Sequence, residues 1–354
     1  MTNTLLRGLV QLGKWFRGEL PGAGSDDPAL LAAAEAQNRW FTPEFIRQAM
    51  QANGAMLMPD TLAQWMGQYP DFSRATSPQR IGLVLAGNLP MVGWHDVLCT
   101  LLCGHAAVVK CSSNDALLIP AAIQALRGFL DDETQVQCEF VTGKLESVDA
   151  VIATGSANSN RYFEYYFREL PKVLRSQRTS AAVLTGEETP ETLRSLGSDI
   201  FQYYGMGCRS VTKLFVPQGF DLDRLFSVWV EWGFLAQNNK YANNYDYHKA
   251  VWLLNREDLI ENGFVLLKRD SGWVSPVGTL YYEPYSDLVA LRNRLDAHAD
   301  ELQCVVTQDP KALGVQRLPM VEVGHAQSPA PWDYADQVDT ISFLLALSST
   351  PVSR

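Results

Sequence analysis

Residues 81–113 read IGLVLAGNLPMVGWHDVLCTLLCGHAAVVKCSS. An unbroken apolar run at 81–86 has the length of a strand, and a Gly-Asn-Leu-Pro turn separates it from an apolar helical segment at 92–102. A second apolar run of strand length follows at 106–110. A strand, a helix and a strand in succession form a βαβ unit, so the stretch predicts two parallel strands joined by a crossover helix.

The same alternation continues along the chain and predicts an α/β fold. After the second strand come a helix at 115–129, strands at 137–141 and 149–153, and a helix at 158–167. Short strands that are apolar throughout are typical of a parallel sheet covered by helices on both faces.

The pattern also predicts how the 354-residue chain is divided. The segments before residue 76 have helical periodicity, and a second α/β region opens with an apolar strand at 211–216. We predict a helical N-terminal region at 1–75, a nucleotide-binding domain with a Rossmann-type parallel sheet at 76–204, a smaller α/β catalytic domain at 205–320 and a closing segment at 321–354.

Small and polar residues follow three of the predicted strands, at 87–90, 110–114 and 154–156. Ligands of open parallel sheets bind at the carboxyl ends of the strands. The third of these turns also starts a helix, where free N–H groups and the helix dipole favour a phosphate. Together the turns predict a nucleotide site, with candidate residues Lys110, Ser112, Ser113, Gly155 and Ser156.

A cysteine between small residues is the candidate nucleophile, in the segment Gly205-Met206-Gly207-Cys208-Arg209-Ser210. Glycines let the backbone approach a bound group closely, and a thiolate is the strongest side-chain nucleophile. Arg209 would lower the pKa of the thiol if its side chain turned towards the sulfur. The alternative is a buried cysteine in a turn.

Composition excludes several classes of protein. The net charge of −10 and the scattered Lys and Arg residues offer no footprint for nucleic acid. Six sparse cysteines in apolar surroundings indicate a reducing cytoplasm rather than a disulfide scaffold. The chain has no apolar run of membrane-spanning length and no signal peptide pattern. The amphipathic segment 5–16 could rest on a membrane, although a packing helix is the preferred interpretation.

Five short motifs follow one another along the chain: Asn88-Leu89-Pro90, the segment 104–112 (GHAAVVKCS), Thr154-Gly155-Ser156, Val183-Leu184-Thr185-Gly186 and Gly207-Cys208. In this order and spacing the chain resembles the aldehyde dehydrogenase superfamily from about residue 81 to its end. The stretches 153–167 and 201–216 look like its acyl-CoA reductase (LuxC-type) branch.

The resemblance implies an aldehyde dehydrogenase-like fold and a role for each matching residue. Cys208 would form an acyl-enzyme thioester, and the Asn88 amide would join the Cys208 N–H in an oxyanion hole. Lys110 would hold the adenosine ribose and Ser156 the pyrophosphate. The implied reaction is NAD(P)H-dependent reduction of an acyl thioester, expected to be a fatty acyl-CoA, to an aldehyde.

Two positions depart from the superfamily pattern. Hydrolytic members carry a Glu general base where this chain has Val183, and Glu187 and Glu188 follow on the far side of the turn. Without that base water is not activated, which suits a reductase. The Glu that usually grips the nicotinamide ribose is replaced by Gly272.

Other functions stay open at this point. Cys208 could serve an acyltransferase or thioesterase with one of the five histidines His95, His105, His248, His298 and His325, or the chain could be a catalytically degenerate nucleotide-binding member. Cys99, Cys103, His105 and Cys111 lack the paired spacing of a zinc site, so we expect core packing and no metal. Aromatic residues at 229–247 either line an acyl tunnel or belong to the core.

The cofactor preference depends on the second strand end. NAD-specific relatives often place a Glu three residues after the lysine, and this chain has Ser113 there, so we predict NADPH with NADH possible. The alternative is that Ser112 and Ser113 merely start a helix. The expected substrate is an acyl-CoA or an acyl-carrier thioester, and a homo-oligomer or an acyl-transferring partner enzyme is possible.

Overall fold

The computed structural model describes residues 3–70, 72, 75, 77–131 and 135–349. Its helices are α1 (Asn3–Phe16), α2 (Pro28–Gln37), α3 (Pro43–Met56), α4 (Pro59–Gly67), α5 (Trp94–Leu102), α6 (Leu118–Gly128), α7 (Ala157–Tyr166), α8 (Pro190–Phe201), α9 (Asp223–Trp229), α10 (Asn239–Leu254), α11 (Leu288–Ala297), α12 (Pro310–Leu313) and α13 (Thr340–Ser349). Short 3₁₀ turns cover Gly24–Asp26, Gln202–Gly205, Val230–Gln237 and Ala335–Gln337.

The strands form two separate sheets. They are β1 (Arg80–Val84), β2 (Ala106–Lys110), β3 (Cys138–Phe140), β4 (Ala150–Thr154), β5 (Lys172–Arg175), β6 (Thr179–Val183), β7 (Val211–Pro217), β8 (Leu259–Glu261), β9 (Leu266–Arg269), β10 (Thr279–Tyr285), β11 (Leu302–Thr307) and β12 (Met320–Glu322). The predicted α/β fold with a parallel sheet is confirmed.

The chain divides into two compact units, one comprising 1–176 with 330–354 and the other 177–329. The predicted division between 204 and 205 lies elsewhere, because β6 pairs with β7 and so draws the preceding residues into the second unit. The predicted closing segment 321–354 is also split: its first nine residues belong to the second unit and the rest to the first.

The first unit contains a five-stranded parallel sheet in the order β3-β2-β1-β4-β5. In chain order the parallel strands are added to opposite sides of the central β1, first β2 and β3 and then β4 and β5, so the position between β1 and β4 is a topological switch point. The buried apolar residues of β1, β2 and β4 explain why the sequence predicted these strands. β5 was not predicted.

The N-terminal helix α1 packs into the core of the first unit. Leu5, Leu9, Leu12 and Phe16 on its apolar face are fully buried, and the helix contacts α3 and α6. The apolar face that a membrane surface would need is therefore covered by protein. In the part of the chain that the structure describes, no helix combines the length and apolar character needed to cross a bilayer.

The second unit contains a seven-stranded sheet in the order β12-β11-β6-β7-β10-β9-β8. All neighbouring pairs are parallel except β8 and β9. β6, which was not predicted as a strand, and β7 lie in its interior, and residue 208 lies just before β7. Residues 223–237 form α9 followed by a 3₁₀ turn.

A buried ion pair joins distant parts of the first unit. The Arg175 guanidinium donates to both carboxylate oxygens of Asp96 at 2.6 and 3.3 Å. It also donates to the Thr340 hydroxyl at 2.8 Å and to the Ala335 carbonyl at 2.7 Å. Burial opposes the charge, yet Asp96 keeps the pKa of Arg175 above its usual value. The pair thus ties α5, the end of β5 and the C-terminal segment together.

We predict that Asp96→Ala lowers the free energy of unfolding by about 3–5 kcal/mol, because it leaves the buried Arg175 charge without a counterion. Glu139→Ala is the matched control, since it breaks the exposed Arg80–Glu139 pair and should cost less than about 1 kcal/mol. Urea unfolding followed by circular dichroism measures both, and equal losses in the two variants would contradict this assignment.

Candidate active site

The segment before Cys208 turns sharply after α8. Tyr203, Tyr204 and Gly205 have φ values of 54°, 59° and 71°, three successive residues in the left-handed region. Such φ values cost a tyrosine roughly 1–3 kcal/mol and recur at functional sites. Both tyrosine rings are buried, so side-chain packing supports the conformation. The turn brings the chain from the end of α8 to the start of β7.

Cys208 occupies a tight turn formed by residues 207–210. The Ser210 N–H donates to the Gly207 carbonyl at 3.0 Å, and the Gly207 N–H donates to the Ser210 hydroxyl at 3.1 Å. The Cys208 carbonyl accepts from the hydroxyl of Ser180 on β6 at 3.0 Å. Both peptide planes that flank Cys208 are therefore held by hydrogen bonds.

The geometry of this turn fixes the direction of the Cys208 N–H. A trans peptide places its N–H opposite its C=O. Because the Gly207 carbonyl points into the turn, the Cys208 N–H of the same peptide points out of it. The Cys208 side chain is half-buried. A half-buried thiol and an outward N–H on one residue suit a nucleophile that stabilises its own oxyanion.

Burial controls the thiol pKa of other cysteines. It raises the pKa of Cys111 and Cys304 to about 11 and that of Cys138 to about 12. At Cys304 the positive charge of Arg209 acts against this rise, and the Ser180 hydroxyl lies 3.2 Å from the sulfur. These thiols stay protonated near neutral pH, and Cys208 is the candidate nucleophile because of its half-buried position in the turn.

The cysteines of the possible metal cluster belong to the core of the first unit. Cys99 and Cys103 are fully buried, and the Cys99 sulfur lies 3.8 Å from His95 Nδ1. Among the described residues, no three His, Cys, Asp or Glu side chains are grouped to hold a metal ion. The second ring nitrogen of His95 contacts the Pro331 carbonyl at 2.8 Å, which indicates a packing role.

The segment after β6 has no carboxylate in the position of a general base. Val183 is buried at the end of β6. The buried Glu188 accepts from the Thr185 hydroxyl at 2.9 Å and from the Gly186 N–H at 3.0 Å. These hydrogen bonds hold the Glu188 carboxylate in this turn.

The main chain around Gly272 is held by neighbouring side chains. The Gly272 N–H donates to Asp270 Oδ1 at 2.8 Å, and the Thr212 hydroxyl donates to the Trp273 carbonyl at 2.7 Å. A Cβ at residue 272 would lie 3.2 Å from Asp270 Oδ1 and 3.3 Å from the Tyr281 ring. The position is therefore closely packed as well as lacking a carboxylate.

The aromatic stretch 229–247 contributes mainly to the core. Trp229 is fully buried, and its indole N–H donates to the Leu193 carbonyl at 2.9 Å. Tyr241 and Tyr204 line a cavity of about 20 Å³, which is the space for about one water molecule. A cavity of this size does not hold an acyl chain, so the core interpretation fits this stretch better.

The predicted cofactor residues lie at the carboxyl ends of strands in the first unit. Lys110 ends β2 and is half-buried, and Ser112 and the exposed Ser113 follow it. The alternative that the serines start a helix is wrong, because α6 begins only at Leu118. The Asn114 N–H donates to the Ser112 hydroxyl at 3.3 Å, so this segment is a turn of its own.

The end of β4 leads directly into a helix, as predicted. Ser156 caps α7 by accepting from the Ser159 N–H at 3.3 Å. A Cβ at Gly155 would lie 2.7 Å from Ser159 Cβ and 2.9 Å from the Phe163 ring, so the close approach requires glycine. The helix N-terminus, the exposed hydroxyls and the nearby Lys110 on β2 are donors that suit a phosphate-bearing dinucleotide.

Asn88 is exposed in the turn after β1, beside the β2 end. A Cβ at Gly87 would lie 2.4 Å from the Ser112 hydroxyl oxygen, so the two strand ends pack against each other. The Met91 N–H donates to Asp115 at 2.7 Å, and burial raises the pKa of Asp115 to about 6. The structure thus brings Asn88 and Ser112 to one edge of the first unit, while Cys208 belongs to the second unit.

Sequence reasoning missed three residues around the Cys208 turn. Ser180 bonds the Cys208 carbonyl, Gln327 bonds the Ser210 hydroxyl, and Asp199 binds the segment that carries Gln327. Two polar residues, Thr179 and Ser180, at the start of an otherwise apolar strand are a signal that could have been noticed. Gln327 had no local signal, since it lies 117 residues from its partner.

The two sheets and the cysteine turn define a protein of the aldehyde dehydrogenase fold. The chain is similar to an aldehyde dehydrogenase of Brucella melitensis biovar abortus 2308 (TM-score 0.66, 14% identity, 93% of this chain and 78% of that one). It is also similar to the Mycobacterium tuberculosis aldehyde dehydrogenase complexed with NAD⁺ (TM-score 0.62, 15% identity, 90% and 77%).

The chain belongs to the acyl-CoA reductase (LuxC) family, whose model matches residues 18–224, more than half of its length. This confirms the resemblance seen in the sequence. A further structural relative is proline utilization A (PutA) of Bradyrhizobium japonicum, with a TM-score of 0.65 and 12% identity. The similarity covers 91% of this chain but only 38% of PutA. No curated protein matches the sequence significantly.

Proposed function

We propose that this protein is a nicotinamide-dependent oxidoreductase that reduces an acyl thioester, a fatty acyl-CoA or its acyl-carrier equivalent, to an aldehyde. Its family and fold support an oxidoreductase of aldehyde chemistry. The observation that carries the proposal is the hydrogen-bonded turn that presents the Cys208 thiol together with an outward N–H.

In the first step the Cys208 thiolate attacks the thioester carbonyl carbon. A carbon–sulfur bond to Cys208 forms, and the carbonyl electrons move to oxygen as an oxyanion. Collapse of this intermediate breaks the bond to the leaving sulfur and expels the CoA or carrier thiolate. Cys208 then carries the acyl group as a thioester, so the redox level of the substrate is unchanged.

The Cys208 N–H is the first donor to the oxyanion, because its direction is fixed by the turn. We assign the exposed amide of Asn88 as the second donor, as the superfamily resemblance implies. One such donor contributes roughly 2.7–4 kcal/mol to transition-state stabilisation. The donors act on charge that develops only during the reaction, so they affect kcat more than KM.

The cofactor, when bound, supplies the hydride that converts the acyl group to the aldehyde. Release of the aldehyde then returns Cys208 to the thiolate. The residues proposed to hold the cofactor are Lys110, Ser112, Ser113, Gly155 and Ser156. Lys110 and the α7 N-terminus supply positive potential.

The proposed product is an aldehyde rather than an acid. Activation of water would need a carboxylate near the acyl group, and the position that carries it in hydrolytic relatives is the buried Val183. Glu188 is bound to the Thr185–Gly186 turn instead. Hydrolysis of the acyl-enzyme is therefore expected to be slow. The same feature disfavours a cysteine thioesterase.

We also propose a compartment for the enzyme and the partners that it meets there. All six cysteines lie among the described residues and none of them forms a disulfide, which suits a reducing cytoplasm. The net negative charge disfavours nucleic acid as a partner. We propose no stable membrane insertion, since α1 buries its apolar face. A homo-oligomer or a partner enzyme that hands over the acyl group is compatible with this function.

We predict that Cys208→Ala abolishes acyl-CoA-dependent oxidation of NADPH, because no acyl-enzyme forms without the thiol. Cofactor binding and the melting temperature should stay near wild type, since residue 208 is half-buried in a turn. Cys138→Ala on β3 is the matched control and should keep its turnover. A Cys208→Ala variant that retains more than a few per cent of wild-type activity would contradict the assignment.

We predict a preference for NADPH over NADH, because Ser113 is a neutral, exposed hydroxyl near the half-buried Lys110. A hydroxyl can donate to a 2′-phosphate, whereas a carboxylate repels it. Ser113→Glu should lower kcat/KM for NADPH more than for NADH, with Ser113→Ala as the control for loss of the hydroxyl alone. Wild-type preference for NADH with no such shift would refute this pocket.

A further inference from the structure

The Ser210 hydroxyl holds the turn that contains Cys208. It accepts from the Gly207 N–H at 3.1 Å and from Gln327 Nε2 at 3.3 Å, and Ser210 is fully buried. A hydroxyl oxygen has two acceptor lone pairs, so these two donors occupy both. One donor comes from the turn itself and the other from a distant segment, so the position of the oxygen depends on that segment.

Gln327 makes its two bonds with one nitrogen. Besides Ser210, its Nε2 donates to the main-chain carbonyl of Asp199 at 3.4 Å. A carbonyl can only accept, so the amide nitrogen rather than the oxygen faces these partners. Gln327 is buried, and its side chain therefore links the C-terminal part of α8 to the Cys208 turn.

The segment that carries Gln327 is itself anchored on α8. The two carboxylate oxygens of the fully buried Asp199 accept from the Gly324 N–H at 2.6 Å and from the Ala326 N–H at 2.9 Å. Gly324 has φ 89°, and a Cβ there would lie 2.9 Å from Ser195 Cβ. The backbone next to Gln327 is thus fixed before its side chain reaches Ser210.

We propose that Gln327 is a positioning residue for Cys208, acting through the Ser210 hydroxyl on the Gly207–Ser210 turn. The inference rests on the proposed function in that Cys208 is the nucleophile. Without Gln327 the Ser210 hydroxyl loses one of its two donors, and the turn loses a support from outside it that is additional to the Ser180 hydroxyl at the Cys208 carbonyl. The direction of the Cys208 N–H then varies, and a displacement near 1 Å at a reacting centre costs up to about 100-fold in rate.

The test replaces Gln327 by leucine, which keeps the size of the side chain and removes the donor. Gln327→Leu should lower kcat for acyl-CoA reduction about 10- to 100-fold with KM changed less than about twofold. Gln303→Leu, the same substitution at a buried position on β11, is the control for lost stability and should keep its kcat. Ser210→Ala should match Gln327→Leu, and the double variant should lose no more than either single one.

A second readout needs neither thioester nor cofactor. Alkylation of Cys208 by iodoacetamide, followed by mass spectrometry across pH, should have its midpoint shifted upwards in Gln327→Leu and Ser210→Ala. The reason is that the turn carries peptide dipoles that flank Cys208 and also Arg209, whose positive charge already acts on the neighbouring Cys304 thiol. Gln303→Leu should give the wild-type profile, because this substitution leaves the nearby titratable thiol of Cys304 in place.

The two readouts separate the possible failures. If the wild-type protein reduces no acyl-CoA while Gln327→Leu and Ser210→Ala still shift the alkylation profile relative to wild type, the proposed function is refuted and the positioning role is kept. A folded Gln327→Leu with wild-type kcat and a wild-type alkylation profile would overturn the positioning role. Gln327→Glu, which replaces the donor nitrogen by an acceptor oxygen, gives the same decision if the leucine variant does not fold.

Discussion

The buried guanidinium of Arg175 is the interaction on which the first unit depends. It stands at the end of β5, one residue before the chain leaves this unit, and it binds Asp96 of α5 and the segment just after the chain returns. A buried charge requires such partners, since its desolvation penalty is several kcal/mol. The segment that ends at 176 and the segment that begins at 330 are thereby held together within the first unit. Residues 177–329 form one uninterrupted second unit.

Within that second unit, the proposed chemistry depends on a peptide plane. The Gly207 carbonyl is bound by the Ser210 N–H and the Cys208 carbonyl by Ser180, so the main chain at the proposed nucleophile has little freedom. Tyr203 and Tyr204 are held in left-handed conformations by burial of their rings. The hydrogen bonds of the Gly207–Ser210 turn direct the Cys208 N–H outwards before any substrate binds, which is the arrangement that would lower the barrier of the proposed reaction.

The sequence predicted the features that depend on neighbouring residues and missed those that depend on contacts between distant ones. The strands β1, β2 and β4 were predicted because each is a short apolar run followed by turn residues. β6 was missed because it starts with the polar residues Thr179 and Ser180, whose hydroxyls find partners such as Thr212 and the Cys208 carbonyl only in the folded chain. The predicted boundary at 204/205 differs from the division at 176/177, since the pairing of β6 with β7 joins residues 31 or 32 positions apart and leaves no local mark. The cysteine and the strand ends were visible as motifs, whereas the partnership of Gln327 and Ser210 exists only in the folded chain.

The central claim is that Cys208 takes the acyl group from a thioester. Intact-protein mass spectrometry after mixing with decanoyl-CoA, without any nicotinamide, tests it most directly. We expect one decanoyl group per chain, located on Cys208 by peptide mapping, together with an equal amount of free CoA and little decanoic acid. Release of CoA and decanoic acid without an adduct, or an adduct on another residue, would contradict this account.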